Sequence, residues 1–166
     1  MAQTDTAIIR AALDGATYRD IEIEASKSLY KLAEAIVSAF GFDFDHAFGF
    51  YGGDPFARKR AQPRYELFAD MGEADPDVRG VKKTKVSEAF PTIGRSLVFL
   101  FDYGDGWQFR VKLEAKGLKL AKTRYPRVVA SQGEAPEQYA DPDEMSDEDQ
   151  PRYGYNLVTG QKIKIG

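Results

Sequence analysis

The chain has 166 residues, 43% of them hydrophobic and 30% charged, with a formal net charge of −3. That is ordinary for a globular protein of one domain, or one domain and a tail, and large enough to bury about 70% of its unfolded surface without a disulfide or metal. It contains no cysteine, which excludes thiol catalysis, zinc–thiolate sites and iron–sulfur clusters; the acidic balance disfavours nucleic acid but leaves room for a local basic patch.

In chain order, Met1 to Leu13 places polar Thr4, Asp5 and Thr6 where a secretion signal would carry a basic start and a long apolar run. No run is long enough to span a membrane, so the expectation is a cytoplasmic protein with no membrane partner. Residues 6–13 and 18–24 read as two strands around Asp14-Gly15-Ala16, a hairpin signal. In the second, Ile21 and Ile23 alternate with Asp20, Glu22 and Glu24, one face buried and one wet. The period then changes. Leu29, Leu32, Ala33, Ile36, Val37 and Phe40 form one helical stripe, with Ser26 or Ser28 available as the cap and Gly41 where a left-handed residue is wanted.

Aromatic-rich 44–51 predicts a strand ending at Gly52-Gly53-Asp54-Pro55, and 53–64 a basic loop, with Tyr65–Phe68 returning as a short strand. A polar connection runs from Asp70 to Gly80, and Lys85 to Phe90 fits one helical turn before Pro91. Leu97 to Phe101 is a continuous apolar run, expected to be covered on both faces. After a turn at Gly104-Asp105-Gly106, Trp107, Phe109, Val111 and Leu113 alternate with Gln108, Arg110, Lys112 and Glu114, a period of two with its apolar face inward. Tyr125 to Val129 reads as extended. Asp141 to Asp149 holds six carboxylates in nine residues and reads as a solvated or disordered stretch. The pattern recovers toward a Thr159-Gly160 turn and alternating Lys162, Ile163, Lys164 and Ile165. The expected organisation is therefore an α+β domain over 1–140, a mainly antiparallel sheet packed against one principal amphipathic helix, followed by an acidic stretch and C-terminal tail or hairpin over 141–166.

Three segments together resemble the plasmid pRiA4b ORF-3-like family, whose members also occur as passenger proteins of insertion elements. They are Ser28 to Ile36 running on through Phe40-Gly41-Phe42-Asp43-Phe44-Asp45-His46-Ala47-Phe48, then Phe101-Asp102-Tyr103-Gly104-Asp105-Gly106-Trp107 continuing to Glu114, then Tyr125-Pro126-Arg127-Val128-Val129 followed by Gly133 to Glu137. Their order and spacing cover residues 6–140. The resemblance implies an α+β fold with a mainly antiparallel sheet, and no particular activity. Many members carry a histidine two positions after the tryptophan, where this chain has Phe109, and another in the helix, where it has Ala33. Any chemistry resting on those imidazoles is missing here. The Pro-Pro-Glu-Asp-x-Gly-Gly ending of many members is replaced by Ala135-Pro136-Glu137-Gln138-Tyr139.

Four groups of side chains compete for a functional role. Asp43, Asp45 and His46 are the one carboxylate–imidazole cluster, with oxygen and nitrogen donors for a divalent metal at Asp45 and His46 or an imidazole base oriented by Asp45. The plainer alternative is a histidine satisfying a backbone carbonyl at a helix–strand junction. Asp102 and Asp105 flank Gly104 and can bind a cation or act as an acid–base pair; as ordinary turn residues, Asp105-Gly106 forms the turn and Asp102 accepts backbone N–H groups. A joint catalytic site of Asp43, Asp45, His46, Asp102 and Asp105 requires the two regions to be neighbours in space. Arg58, Lys59, Arg60 and Arg64, between Phe56 and Tyr65, offer phosphate contacts and stacking, or simply a solvated loop. Trp107 with Phe99, Phe101, Tyr103 and Phe109 lines either a pocket or, as the alternation argues, the core.

No dinucleotide, P-loop or Ser–His–Asp pattern is present, so no cofactor is expected. The leading expectation is a non-enzymatic interaction module associated with mobile elements and working through a protein partner. The rivals are a metal-dependent hydrolytic enzyme and a nucleic-acid-binding accessory protein.

Overall fold

A computed structural model describes residues 5–58, 61–72 and 77–139, together with the backbone of 152–155 and 162–165. The first hairpin, β1 (Asp5–Asp14) and β2 (Thr17–Glu24), forms as its alternation predicts, with Ile9 facing Ile21 and Ala7 facing Ile23 across the pair. Helix α1 (Leu29–Ala39) follows. The Ser28 hydroxyl accepts the Lys31 N–H at its start, and Gly41 follows its end at φ +73°, a conformation a side chain would resist. Its buried face is Leu29, Leu32, Ala33, Ile36 and Val37, the predicted stripe.

The remaining elements are β3 (Phe48–Tyr51), β4 (Arg64–Glu66), α2 (Leu67–Asp70), β5 (Arg79–Gly80), α3 (Val86–Ala89), β6 (Ser96–Phe101), β7 (Trp107–Leu118) and β8 (Arg127–Gln132). They complete an eight-stranded sheet in the order β5-β4-β3-β6-β7-β1-β2-β8, antiparallel except where β4 meets β5. The fold is therefore α+β with one principal helix. In the tail, β9 (Arg152–Tyr155) and β10 (Lys162–Ile165) pair antiparallel as a separate two-stranded sheet. The Asp141–Asp149 stretch and the Thr159-Gly160 turn lie outside the described residues. No helix among the described residues is long and apolar enough to cross a membrane.

One face of the sheet joins the stripe of α1 in a single core containing Ile9, Ile21, Phe50, Phe99, Phe109 and Val111. Arg19 ties the layers together. Its guanidinium donates to the Ala39 carbonyl at the C-terminal end of α1 (3.3 Å), where the helix dipole favours a cation, and to the Gln132 carbonyl of β8 (2.9 Å). Trp107 stays half-buried against Phe42 (ring centroids 4.9 Å), while Phe109, Val111 and Leu113 are buried. In β6, Leu97, Phe99, Leu100 and Phe101 are buried but Val98 is only half-covered, so the expectation of cover on both faces holds for most of that strand.

Two boundaries differ from the sequence reading. The 44–51 strand begins only at Phe48, because its partner β6 ends opposite it at Phe101 and the chain turns away at Asp102. The segment after Tyr65 turns helical at Leu67, which brings the Asp70 carboxylate onto the Lys82 N–H (3.2 Å to Oδ2).

The opposite, outer face carries a line of ion pairs at the β2–β8 edge. Glu22 accepts from the Thr6 hydroxyl (2.6 Å) and from two Arg127 nitrogens (3.0 and 2.7 Å). Desolvation pushes its carboxyl up, but those bonds outweigh it and hold Glu22 below its ordinary value of 4.5. Glu24, gripped by Lys119 at 2.5 Å against a smaller desolvation, is likewise lowered. A carboxyl whose folded pKa is depressed contributes stability above its unfolded pKa and loses it as pH falls through the folded one. Acid titration of the urea midpoint should therefore drop below about pH 4.5, and Glu22→Gln should make that drop shallower; an unchanged acid limb would sink this account.

Candidate functional site

The α1–β3 connection and the β6–β7 turn meet at one end of the sheet, because β3 pairs with β6 and Phe48 faces Phe101. This juxtaposition brings Asp45 and His46 beside Asp102, and both regions receive residues 133–139, which run from the end of β8 across to the α1–β3 connection. His46 Nε2 lies 2.6 Å from the Tyr139 hydroxyl, 3.5 Å from Asp45 Oδ1 and 3.4 Å from Asp102 Oδ2. Tyr139 lies 3.3 Å from both Asp45 oxygens. Gln138 locks the other side: its Oε1 accepts the Asp43 N–H (2.7 Å) and its Nε2 donates to the Asp43 carbonyl (3.2 Å).

Asp102 adopts φ +64°, left-handed backbone that aspartate tolerates when its side chain bonds locally. Its Oδ1 accepts the N–H groups of Gly104 (3.1 Å) and Asp105 (3.2 Å), leaving Oδ2 toward the imidazole. The turn reading of Asp102 and Asp105-Gly106 thus holds, with Gly106 at φ +70°, and Asp102 also joins the histidine. Asp105 stands close enough that desolvation, then Asp45, Asp102 and Asp105 together push the Tyr139 hydroxyl up to about 12.

With three oxygens around Nε2, the hydrogen-bond network assigns the proton to that nitrogen. His46 donates to Tyr139, and Tyr139 donates to Asp45. A relay base needs a carboxylate on one ring nitrogen and a lone pair free on the other. Here both carboxylates and the tyrosine gather at Nε2, and no bond to Nδ1 is made among the described residues, so the geometry is compatible with that arrangement as well as with a purely structural tie. Among the described residues, no three His, Asp or Glu side chains are arranged to hold a metal ion.

The basic loop divides. Arg58 is exposed, whereas Lys59 and Arg60 lie outside the described residues. Arg64 has turned inward, its side chain 11% exposed, with nitrogens 3.8 Å from Glu66 and 3.7 Å from Asp77. Its charge is engaged within the fold rather than displayed with Arg58.

The sequence reading missed Gln138 and Tyr139, which stand more than ninety positions from their partners. It also missed a second polar cluster on the outer face. There the buried Tyr51 hydroxyl donates to Glu66 and lies 2.7 Å from the Tyr103 hydroxyl; burial foremost holds the Tyr51 phenol far above its ordinary pKa. Glu66 carried no signal in a three-residue strand beside a basic loop.

No curated protein matches the chain. A crystal structure of a protein of unknown function from Methanosarcina mazei Go1 shares the fold, with a TM-score of 0.66 at 18% identity over 82% of this chain and 74% of that one. The plasmid pRiA4b ORF-3-like protein family matches residues 9–144, which takes in the α1–β3 connection, the β6–β7 turn and Tyr139. The chain belongs to that family.

Proposed function

We propose that this protein is a non-enzymatic interaction module that binds an extended segment of another protein along β8. The observation that carries the reading is the state of that strand. All six residues of β8 are exposed, including Val128 (48%) and Val129 (42%), and nothing among the described residues pairs with its outer edge. An open edge of this kind offers unpaired backbone donors and acceptors to an incoming strand. A groove between α1 and β8, lined by Ile21, Ala35, Ala39 and Val128, suits an apolar side chain of that strand. Lys122 and Arg124, exposed just before β8, favour carboxylates beside it. The mobile-element setting implied by the family resemblance fits a module that works through a partner.

In this reading the His46 cluster serves as a clasp for residues 133–139, with Nε2 and the Tyr139 hydroxyl both bonded within it. Peptides selected from a random display library on the full chain should be rich in β-branched residues and carboxylates. They should slow amide exchange across 127–132, and a Val128→Asp/Val129→Asp variant should bind them about tenfold more weakly. His46→Ala should cost only about 1 kcal/mol and speed exchange in 133–139. The proposal fails if selected peptides protect another surface. It also fails if the chain hydrolyses ester, phosphate or nucleic-acid substrates and folded His46→Ala loses that turnover.

A further inference from the structure

The chain carries opposite charge on the two sides of β8. Lys122 and Arg124 are exposed just before the strand, and Glu134 and Glu137 are exposed just after it. None of the four makes an ion pair among the described residues. The strand itself holds a single charge, Arg127, which Glu22 already engages at 2.7 Å. One end of β8 is therefore positive and the other negative, about 17 Å apart over five residue steps.

That polarity selects an occupant. A strand that pairs antiparallel with β8 lays its own start against the end of β8. When the incoming strand is a second β8, a two-fold axis near the middle brings Arg124 of each copy toward Glu134 of the other, once at each end. Parallel pairing in the same register would instead set Arg124 against Arg124 and Glu134 against Glu134. Sheet edges are commonly blunted by charge along the strand. Here Val128 and Val129 stay exposed within it, and the unengaged charges lie beyond its ends, where they match in pairs. The bulge at Val129 sits mid-strand and leaves the polarity of the ends unchanged.

We propose that the free protein closes this edge on a second copy of itself, β8 against β8 about a two-fold axis, and that a partner segment must displace that copy. The inference rests on the reading of β8 as the binding edge and adds how the edge is held before the partner arrives.

Sedimentation equilibrium of the full chain between about 1 µM and about 1 mM should show reversible dimerisation. Arg124→Glu and Glu134→Arg each set like charges together at both ends of the interface, and each should weaken the dimer about tenfold. An equimolar mixture of the two variants should recover it, because the mixed dimer has opposite charges at each end again. Both side chains are exposed and unengaged, so the variants keep the fold, and recovery on mixing shows that they do. A monomer at every concentration, single variants that dimerise like the parent, or a mixture no tighter than its components would each overturn the proposal. The partner reading is judged apart. Selected peptides that protect 127–132 in a chain that never dimerises leave that reading standing, whereas a dimer recovered by mixing, with no such peptides, sinks that reading alone.

Discussion

Replacing Phe99 with alanine should cost about 3–5 kcal/mol, a large part of the stability of a domain this size. Phe99 is fully buried in β6, between β3 and β7. Its ring centroid lies 4.8 Å from that of Phe50, 5.7 Å from Phe109, 5.8 Å from Phe48 and 6.3 Å from Phe101. Alanine would remove the ring and leave a cavity that these four neighbours cannot close, since each is fixed in its own strand. Trp107 is the single tryptophan of the chain, so urea unfolding can be followed by its fluorescence. Phe99→Leu, which keeps most of the volume, should lose far less. Equal midpoints for the two variants would show that the aromatic cluster is not the centre of the core.

Gly133→Ala is expected to cost about 2–4 kcal/mol. Gly133 has φ +76°, and a Cβ there would stand 2.5 Å from the Ala16 carbonyl and 2.7 Å from the Thr17 hydroxyl. The left-handed backbone and the collision act together, and backbone atoms cannot move aside as a flexible side chain would. Gly15, in the same β1–β2 turn, is the control. It has no left-handed φ, and a Cβ there would meet nothing within 4 Å, so Gly15→Ala should stay within about 0.5 kcal/mol of the parent. Thermal unfolding of the pair separates a local packing demand from a general dislike of substitution in turns. If Gly133→Ala melts with Gly15→Ala, the close approach of β8 to the first turn is wrong.

Much of the fold was legible because its elements are local and periodic. The stripe from Leu29 to Val37 specifies α1, the alternation from Trp107 to Leu113 specifies the inner face of β7, and Asp14-Gly15 marks the first turn. Where the reading slipped, the limit was set by a partner far off in sequence. Phe44 looks like the start of a strand, but its partner β6 ends at Phe101, opposite Phe48, and no spacing near Phe44 announces that limit. The candidate site was half legible. Asp45, His46 and Asp102 were named from residue type, and their meeting follows from β3 pairing with β6, which requires the whole sheet. Tyr139 could have been suspected from the family-like segment that precedes it, yet its role depends on a crossing that only three dimensions show. Arg64 is the converse, a cation grouped by sequence with its loop and claimed by Glu66 once folded.

The Gln138 clasp also bears on the order in which the protein assembles. The bonds of Gln138 to Asp43 join positions separated by 95 residues, whereas β1–β2 and β6–β7 close over short turns. Closing a longer loop costs more chain entropy, so the two ribbons can nucleate while the clasp must wait for a nearly finished sheet. During synthesis from the N-terminus the wait is literal. Asp43, Asp45 and His46 leave the ribosome well before Gln138 and Tyr139 exist, and the end of the sheet that holds them stays unsealed until almost the whole domain has emerged.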